Sequence, residues 1–265
     1  MTAAYETVIE IGAIPIRVRT REAGFHELLQ KRYGGFTGTT RNPAYHLEIE
    51  LHPPSLSNSD ADAEVWYDRG RWIVRRGDFR AELDPQTRRG VVRQSANPYS
   101  IDAVLRILHT LLLAGEGGFL VHAASAMRNG RAFLFSGVSG AGKTTISRLA
   151  PPDVTLMTDE VSYVRRCGDA YRAFGTPFAG ELGEPGANIS APIAALFLLA
   201  KGPENRREPM AAADMTMALL RNILFFAGKR ELVGSVFQSA CDFVHRVPIE
   251  KLVFRPDPGV WEMIA

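Results

Sequence analysis

The chain has 265 residues, of which 46% are hydrophobic and 23% are charged, and this balance excludes an intrinsically disordered chain. Its 31 basic and 29 acidic residues give a net charge of +2, so bulk charge does not favour a nucleic-acid or membrane-surface partner.

The cysteines and the start of the chain indicate the compartment. Cys167 and Cys241 lie far apart, without a C-x-x-C pair or a histidine at ligand spacing, which argues against a disulfide framework or a cysteine-held zinc ion. Neither a secretion signal nor an apolar run of about 20 residues is visible. We therefore expect a soluble cytoplasmic protein without a membrane partner.

Residues 1–98 are predicted to form a small β-rich domain. Segments 7–19 and 45–51 alternate apolar and polar residues as strands do, and the Pro/Ser-rich segment 53–60 is predicted to be a loop. Four further β-like runs separated by turn residues predict a meander; they lie at 64–67, 71–75, 79–83 and 91–94.

This meander is rich in arginine, with three aromatic residues interspersed. The residues concerned are Arg69, Arg71, Arg75, Arg76, Arg80, Arg88, Arg89 and Arg93, with Trp66, Trp72 and Phe79. One interpretation is a platform for single-stranded nucleic acid, and the other is a solvated sheet face diluted by acidic residues. The near-neutral chain favours the solvated face, so no nucleic-acid partner is expected, while a surface for an acidic partner stays open.

The remaining residues, 99–265, follow an α/β pattern. An apolar stripe predicts a helix over 100–114 with Ser100 as its N-cap. Predicted strands and helices then follow in chain order: strands 119–127 and 131–136, a helix from 143, strands 154–158 and 192–199, helices 214–226 and 231–244, and a strand at 247–255.

The segment from Gly137 to Thr144 matches the phosphate-loop (P-loop) pattern G-x-x-x-x-G-K-[ST] in full. Glycines let the backbone N–H groups of such a loop point at phosphate oxygens, while the lysine reaches the β and γ phosphates and the threonine hydroxyl binds Mg²⁺. The sequence therefore predicts a nucleoside triphosphate site with these members: Gly137, Ser139, Gly140, Ala141, Gly142, Lys143, Thr144 and Thr145.

A histidine is predicted at the mouth of this loop. Asn129-Gly130 is a type I′ hairpin signal between two apolar runs, and pairing outward from it places His122 opposite Gly137. His122 could there contact the γ phosphate or an acceptor, or it could cap the end of a strand through a backbone contact.

Acidic and basic residues farther along the chain complete the set of candidates. Asp159 and Glu160 follow an apolar segment sixteen residues after Lys143, and we expect that strand to lie immediately beside the strand that enters the P-loop. Glu181 ends a Gly/Pro-shaped loop and is either a further metal ligand or an exposed acid. Lys201 begins a basic loop with Asn205, Arg206 and Arg207, which is either a source of a catalytic cation or a solvated loop.

Together these residues resemble the HPr kinase-like group of P-loop kinases, whose catalytic domain is related to phosphoenolpyruvate carboxykinase. The resemblance covers about residues 100–265 and rests on the histidine strand at 120–123, the hairpin into the P-loop, the closely spaced acid pair and the loop at 175–181. It implies an α/β nucleotide-binding domain at 99–265, preceded by the β-rich domain.

The resemblance implies transfer of a phosphoryl group from ATP to a serine hydroxyl. Asp159 would be the general base, His122 would lie beside the transferred phosphate, and Lys143 would bind the phosphates. Mg²⁺ would be surrounded by Thr144, Glu160 and Glu181. A plain P-loop interpretation instead puts Asp159 on the metal side and makes Glu160 the base.

The chain also departs from the pattern of HPr kinases. These enzymes usually have Asp-Asp where this chain has Asp159-Glu160, and their Arg-Pro-Gly signature loop is replaced by a different segment at 201–209. The phosphoryl acceptor could therefore be a serine-bearing protein, a peptide or a small molecule. The sequence also leaves open whether the chain forms a homo-oligomer. A non-catalytic nucleotide sensor or adaptor and a simple ATP hydrolase are the alternative functions.

Overall fold

The computed structural model describes residues 4–54 and 62–264. The chain divides into two units, one formed by 1–111 with 226–232 and the other by 112–225 with 233–265. Each unit is built on one large mixed sheet, so the chain is a mixed α/β protein, as the sequence predicted. The predicted boundary near residue 98 stays a prediction, and most of the predicted loop at 53–60 lies outside the described residues.

The first unit contains a seven-stranded sheet in the order β1-β2-β3-β7-β6-β5-β4. Its elements are β1 (Tyr5–Ile11), β2 (Ile14–Thr20), α1 (Ala23–Tyr33), β3 (Tyr45–Leu51), β4 (Glu64–Asp68), β5 (Arg71–Arg76), β6 (Phe79–Asp84) and β7 (Arg89–Gln94). The predicted meander is confirmed, because β4 to β7 pair antiparallel in sequence order.

The N-terminal part of this sheet differs from the prediction. The alternating segment 7–19 is two strands, because Gly12 and Ala13 turn the chain back with φ values of 63° and 58°. The helix α1, which the sequence analysis missed, connects β2 to the parallel strand β3. It buries only a narrow stripe of Phe25, Leu29 and Tyr33.

The arginines of the meander are largely paired with carboxylates on the same sheet. The ion pairs include Arg71, Arg80 and Arg93 with Glu82, Arg75 with Glu64, and Arg93 with Glu50. These side chains are between 27% and 62% exposed, so each pair contributes only about 0.2–1 kcal/mol. The arrangement agrees with a solvated sheet face whose positive charge is locally neutralised.

The helix that follows, α2, spans Pro98–Glu116, and the predicted N-cap Ser100 is wrong. Asn97 accepts a hydrogen bond from the Tyr99 N–H at 2.9 Å through Oδ1, and Pro98 occupies the first helical position, where no N–H is needed. Ser100 is instead buried inside the first turn, where its hydroxyl donates to Asp78 Oδ2 at 2.7 Å.

The second unit contains a nine-stranded sheet. Its elements are β8 (Gly118–Arg128), β9 (Arg131–Ser136), α3 (Lys143–Arg148), β10 (Thr155–Thr158), β11 (Val161–Cys167), β12 (Ala170–Phe174), β13 (Ser190–Lys201), β14 (Arg206–Glu208), α4 (Ala212–Asn222), β15 (Ile223–Leu224), α5 (Arg230–Arg246) and β16 (Ile249–Phe254). The helix predicted at 214–226 ends at Asn222, because the next two residues pair with β8.

The hairpin of β8 and β9 has the predicted register. Ala123 pairs with Ser136 and Arg128 with Arg131, so the next pair outward is His122 with Gly137. Asn129 and Gly130 adopt φ values of 52° and 73°, as a type I′ turn requires. The sequence prediction for this hairpin is therefore confirmed.

The predicted neighbour of the P-loop strand is wrong. The strand before the acid pair, β10, pairs antiparallel with β8, so β8 separates it from β9. The hairpin partner β8 occupies one edge of β9 and the parallel strand β13 occupies the other, which leaves no edge of β9 for β10.

The acid pair also interrupts a strand rather than ending one. Thr158 pairs with Ser125 before it, and Val161 pairs with His122 after it, so β10 and β11 follow the same edge of β8. The sequence analysis missed β11 and β12. In the described residues, no helix is long and apolar enough to cross a membrane.

Candidate functional site

The P-loop lies between β9 and α3, and its conformation requires glycine at two positions. Gly137 and Gly142 have φ values of 157° and 112°. A Cβ atom at Gly137 would approach the Ala141 Cβ to 2.8 Å, and one at Gly142 would approach Phe254 Cζ to 2.6 Å. Both backbone conformation and space therefore select glycine here.

A cavity of about 620 Å³ opens over this loop. It contains every predicted site residue except Gly137 and Ala141. Three lining residues complete it: Ala179, Gly180 and Lys201. The sequence analysis missed Ala179 and Gly180, although their Gly/Pro-shaped loop was recognised.

Lys143 is half-buried beside the loop. Its Nζ donates a hydrogen bond to the Gly137 carbonyl at 3.2 Å. Burial lowers the pKa of this amine, while the negative charges of Glu181 and Glu160 oppose that change. The ammonium head is thus held at the loop and faces two carboxylates of the cavity.

Thr144 and Glu181 contact each other directly. The Thr144 hydroxyl donates to Glu181 Oε2 at 2.8 Å, which joins the P-loop to the loop at 175–182. Glu181 lines the cavity and is itself exposed, so its two interpretations, a further metal ligand and an exposed acid, both stay predictions.

Asp159 is buried, with 8% of its surface exposed, and accepts two backbone hydrogen bonds. The N–H groups of Gly180 and Leu182 donate to its two carboxylate oxygens, each at 2.8 Å. Glu160 is half-buried and lines the same cavity. The two neighbouring acids therefore have different surroundings.

His122 lies in the middle of three neighbouring strands. It pairs with Val161 on one side, and on the other its backbone carbonyl accepts a hydrogen bond from the Ser136 hydroxyl at 2.9 Å. This placement brings His122 into the cavity together with the P-loop and the acid pair.

Lys201 ends β13, and the parallel pairing of β13 with β9 brings it to the same side as the P-loop. The other residues of the predicted basic loop contact side chains and backbone groups elsewhere in the chain. Arg206 pairs with Glu204 and Glu208, Arg207 pairs with Glu250, and Asn205 accepts the Arg255 N–H. Only Lys201 of this group lines the cavity.

The oxygen-bearing side chains of the cavity fit Mg²⁺ by their chemistry. Thr144, Glu160 and Glu181 offer a hydroxyl and carboxylates, and Mg²⁺ in phosphate-transfer sites takes one or two such groups together with substrate phosphates and water. Within 4–54 and 62–264, no group of three or more His, Cys, Asp or Glu side chains is arranged to hold a metal ion without other ligands, so Mg²⁺ here would need phosphate and water oxygens as well.

The fold is that of a mixed α/β protein with a cavity over the segment 137–144. Residues 99–264, more than half of the chain, match the family described as "SynChlorMet cassette protein ScmC", and the chain belongs to this family. No curated protein matches the chain.

Among solved structures, the chain is similar to the HPr(Ser) kinase/phosphatase from Coxiella burnetii, at 14% identity. The similarity covers 45% of this chain and 87% of that chain, with a TM-score of 0.27. A TM-score this low does not establish a common fold.

Proposed function

We propose that this chain is a phosphotransferase that binds ATP with Mg²⁺ and transfers the γ-phosphoryl group to a serine hydroxyl of a protein, peptide or small molecule. One observation carries the proposal. A single cavity of about 620 Å³ contains the P-loop lysine and threonine, three carboxylates, a histidine and a second lysine. Phosphoryl transfer needs such a set, because its catalysis is mostly positioning and charge neutralisation.

The P-loop side of the cavity holds the phosphates. Backbone N–H groups of the loop and the Lys143 ammonium bind phosphate oxygens, and Lys143 exchanges its bond to the Gly137 carbonyl for one to phosphate. Thr144, Glu181 and the carboxylate of the Asp159–Glu160 pair that does not act as the base would hold Mg²⁺. When bound, this ion would supply positive charge to the β and γ phosphates.

The acid side of the cavity receives the acceptor. One carboxylate of the Asp159–Glu160 pair takes the proton of the serine hydroxyl, while the serine oxygen bonds to the γ phosphorus and the bond to the β,γ-bridging oxygen breaks. ADP keeps the electron pair of the broken bond. His122 and Lys201 line the cavity and provide polar and positive groups for the charge on the transferred group.

Labelling tests this proposal. The protein is incubated with γ-³²P-ATP and Mg²⁺, with free serine and with the peptides and proteins encoded by neighbouring genes, because the family description names a cassette. We expect acid-stable phosphoserine on one acceptor, and loss of the label with Lys143→Met.

The matched control variant is Lys251→Met, because Lys251 pairs with Glu208 and does not line the cavity. Fast release of phosphate without any acceptor would instead identify a hydrolase. Nucleotide binding with neither release nor transfer would identify a sensor.

A further inference from the structure

We propose that Asp159 is a positioning residue: its carboxylate fixes the segment 180–182 and thereby sets Glu181 against the P-loop threonine. The proposal rests on the proposed function only in taking Thr144 and Glu181 as parts of the nucleotide site. It assigns Asp159 a task that neither the P-loop pattern nor the acid-pair pattern contains.

The first observation is the hydrogen bonding of Asp159. Its Oδ1 accepts the Gly180 N–H and its Oδ2 accepts the Leu182 N–H, both at 2.8 Å. The side chain is almost fully buried, so water competes little for these bonds. Hydrogen bonds to a charged group are among the stronger ones in proteins.

The second observation is the close approach of the loop to the acid pair. A Cβ atom at Gly180 would stand 2.9 Å from both Asp159 Oδ2 and Glu160 Cβ. Only glycine allows the backbone to come near enough for both amides to reach the carboxylate. The two bonds and the missing side chain therefore belong to one arrangement.

The third observation is how the connection between β12 and β13, residues 175–189, is held outside the segment 180–182. Near its ends, the Thr176 N–H donates to the Met157 carbonyl at 3.2 Å and the Ala187 N–H donates to the Leu156 carbonyl at 3.2 Å. Phe178 is fully buried between these anchors. The loop ends are thus fixed on β10 and its neighbourhood independently of Asp159, which leaves the segment 180–182 as the part that the carboxylate controls.

The consequence reaches the P-loop through Glu181. This residue stands between the two amides that Asp159 holds, and its own carboxylate accepts the Thr144 hydroxyl at 2.8 Å. Asp159 therefore positions Glu181 and Thr144 for the Mg²⁺–phosphate end of a nucleotide. Loss of the carboxylate would leave both side chains present but no longer aligned.

Two variants break this arrangement from opposite sides. Asp159→Asn keeps the size of the side chain but replaces one accepting oxygen by an NH₂ group that faces a backbone N–H. Gly180→Ala keeps Asp159 and pushes the loop away from it. Gly234→Ala is the matched control, because a Cβ there meets nothing within 4 Å.

The first measurement is amide hydrogen exchange in the nucleotide-free protein. We expect exchange at Gly180 and Leu182 to be about 10- to 100-fold faster in Asp159→Asn and Gly180→Ala, and unchanged in Gly234→Ala. Exchange at Thr176 should stay at the wild-type rate, which shows that the variant has folded. Wild-type protection of both amides in Asp159→Asn would overturn the proposal.

The second measurement is the binding of a fluorescent ATP analogue with and without Mg²⁺. We expect the gain in affinity from Mg²⁺ to be lost in both variants and the double variant to be no worse than either, since they break one arrangement. Additive losses would overturn the coupling to Glu181. If wild type binds no nucleotide while the exchange result holds, the proposed function fails and the positioning of the loop by Asp159 stands.

Discussion

Gly142→Ala is a substitution in the P-loop that the structure predicts to be costly. The backbone at Gly142 has φ of +112°, and a Cβ there would stand 2.6 Å from Phe254 Cζ. Gly140 offers a matched control, because it also has positive φ, at +75°, but meets nothing within 4 Å. The difference between the two variants therefore reports the contact with Phe254 together with the extra strain of the larger φ at Gly142.

The magnitude follows from these two contributions. Alanine at a left-handed φ costs on the order of 1 kcal/mol at Gly140, the low end of the range for such positions. At Gly142 the Phe254 ring must also move, and it is 3% exposed in an apolar cluster with Ile146 and Trp261. Overpacking of this kind costs about 1–3 kcal/mol, so together with about 1 kcal/mol of backbone strain we expect a total of about 2–4 kcal/mol for Gly142→Ala.

Urea unfolding measures these costs when it is followed by the fluorescence of a tryptophan packed near Phe254. Trp261 is buried, and its Nε1 donates to the Ile146 carbonyl of α3 at 3.1 Å. Replacing the other two tryptophans, Trp66 and Trp72, by phenylalanine leaves Trp261 as the reporter. Equal losses in Gly140→Ala and Gly142→Ala, or no loss in the latter, would refute the reasoning about Phe254.

Two further predictions concern buried ionisable side chains of the first unit. Burial lowers the pKa of His109 from 6.5 to about 3. As the pH falls, the unfolded chain therefore takes up a proton at this histidine at a higher pH than the folded chain does. The free energy of unfolding is unaffected above pH 6.5 and decreases as the pH falls towards 3, by about 2 kcal/mol at pH 5. His109→Leu should flatten the urea midpoint between pH 7 and 5, and an unchanged slope would contradict this assignment. Asp102 is buried and accepts hydrogen bonds from Arg32 and Tyr33, so Asp102→Ala should lower the free energy of unfolding by about 2–4 kcal/mol. Glu64→Gln, which breaks the exposed pair with Arg75, should change the urea midpoint far less, and equal effects would show that burial does not decide the cost.

Local signals made part of the fold predictable from the sequence. The Asn129-Gly130 turn determines the register of β8 and β9, because a two-residue hairpin leaves no freedom in which residues pair. The P-loop pattern likewise predicts its own strand, loop and helix start. The helix α1 was not predicted, because its buried face has only three residues and so gives a weak hydrophobic periodicity.

Long-range pairing explains the main errors. The sixteen-residue interval from Lys143 to Asp159 suggested adjacent strands, but the spacing does not say which edges of β9 are already paired. β8 and β13 occupy both edges of β9, so β10 joins β8 instead. A pair of acids in mid-strand also looks like a strand end, which is why β11 was missed.

In the site, too, the residues with a local sequence pattern were predicted, and the contacts between distant segments were not. His122, Lys143, Thr144 and the acid pair were all predicted, and the structure brings them into one cavity. The contacts of Asp159 with the amides of Gly180 and Leu182 were not predictable, because backbone N–H groups carry no sequence signature. Such contacts are visible only when the loop is seen beside the strand.

Calorimetric titration with ATP and Mg²⁺ tests the central claim most directly, since every step of the proposed transfer needs a nucleotide in this cavity. We predict a single site in wild type, an affinity at least about 10-fold lower in Lys143→Met because a charge-assisted contact to phosphate is removed, and wild-type affinity in Lys251→Met. Absence of binding in wild type, or unchanged binding in Lys143→Met, would contradict the account.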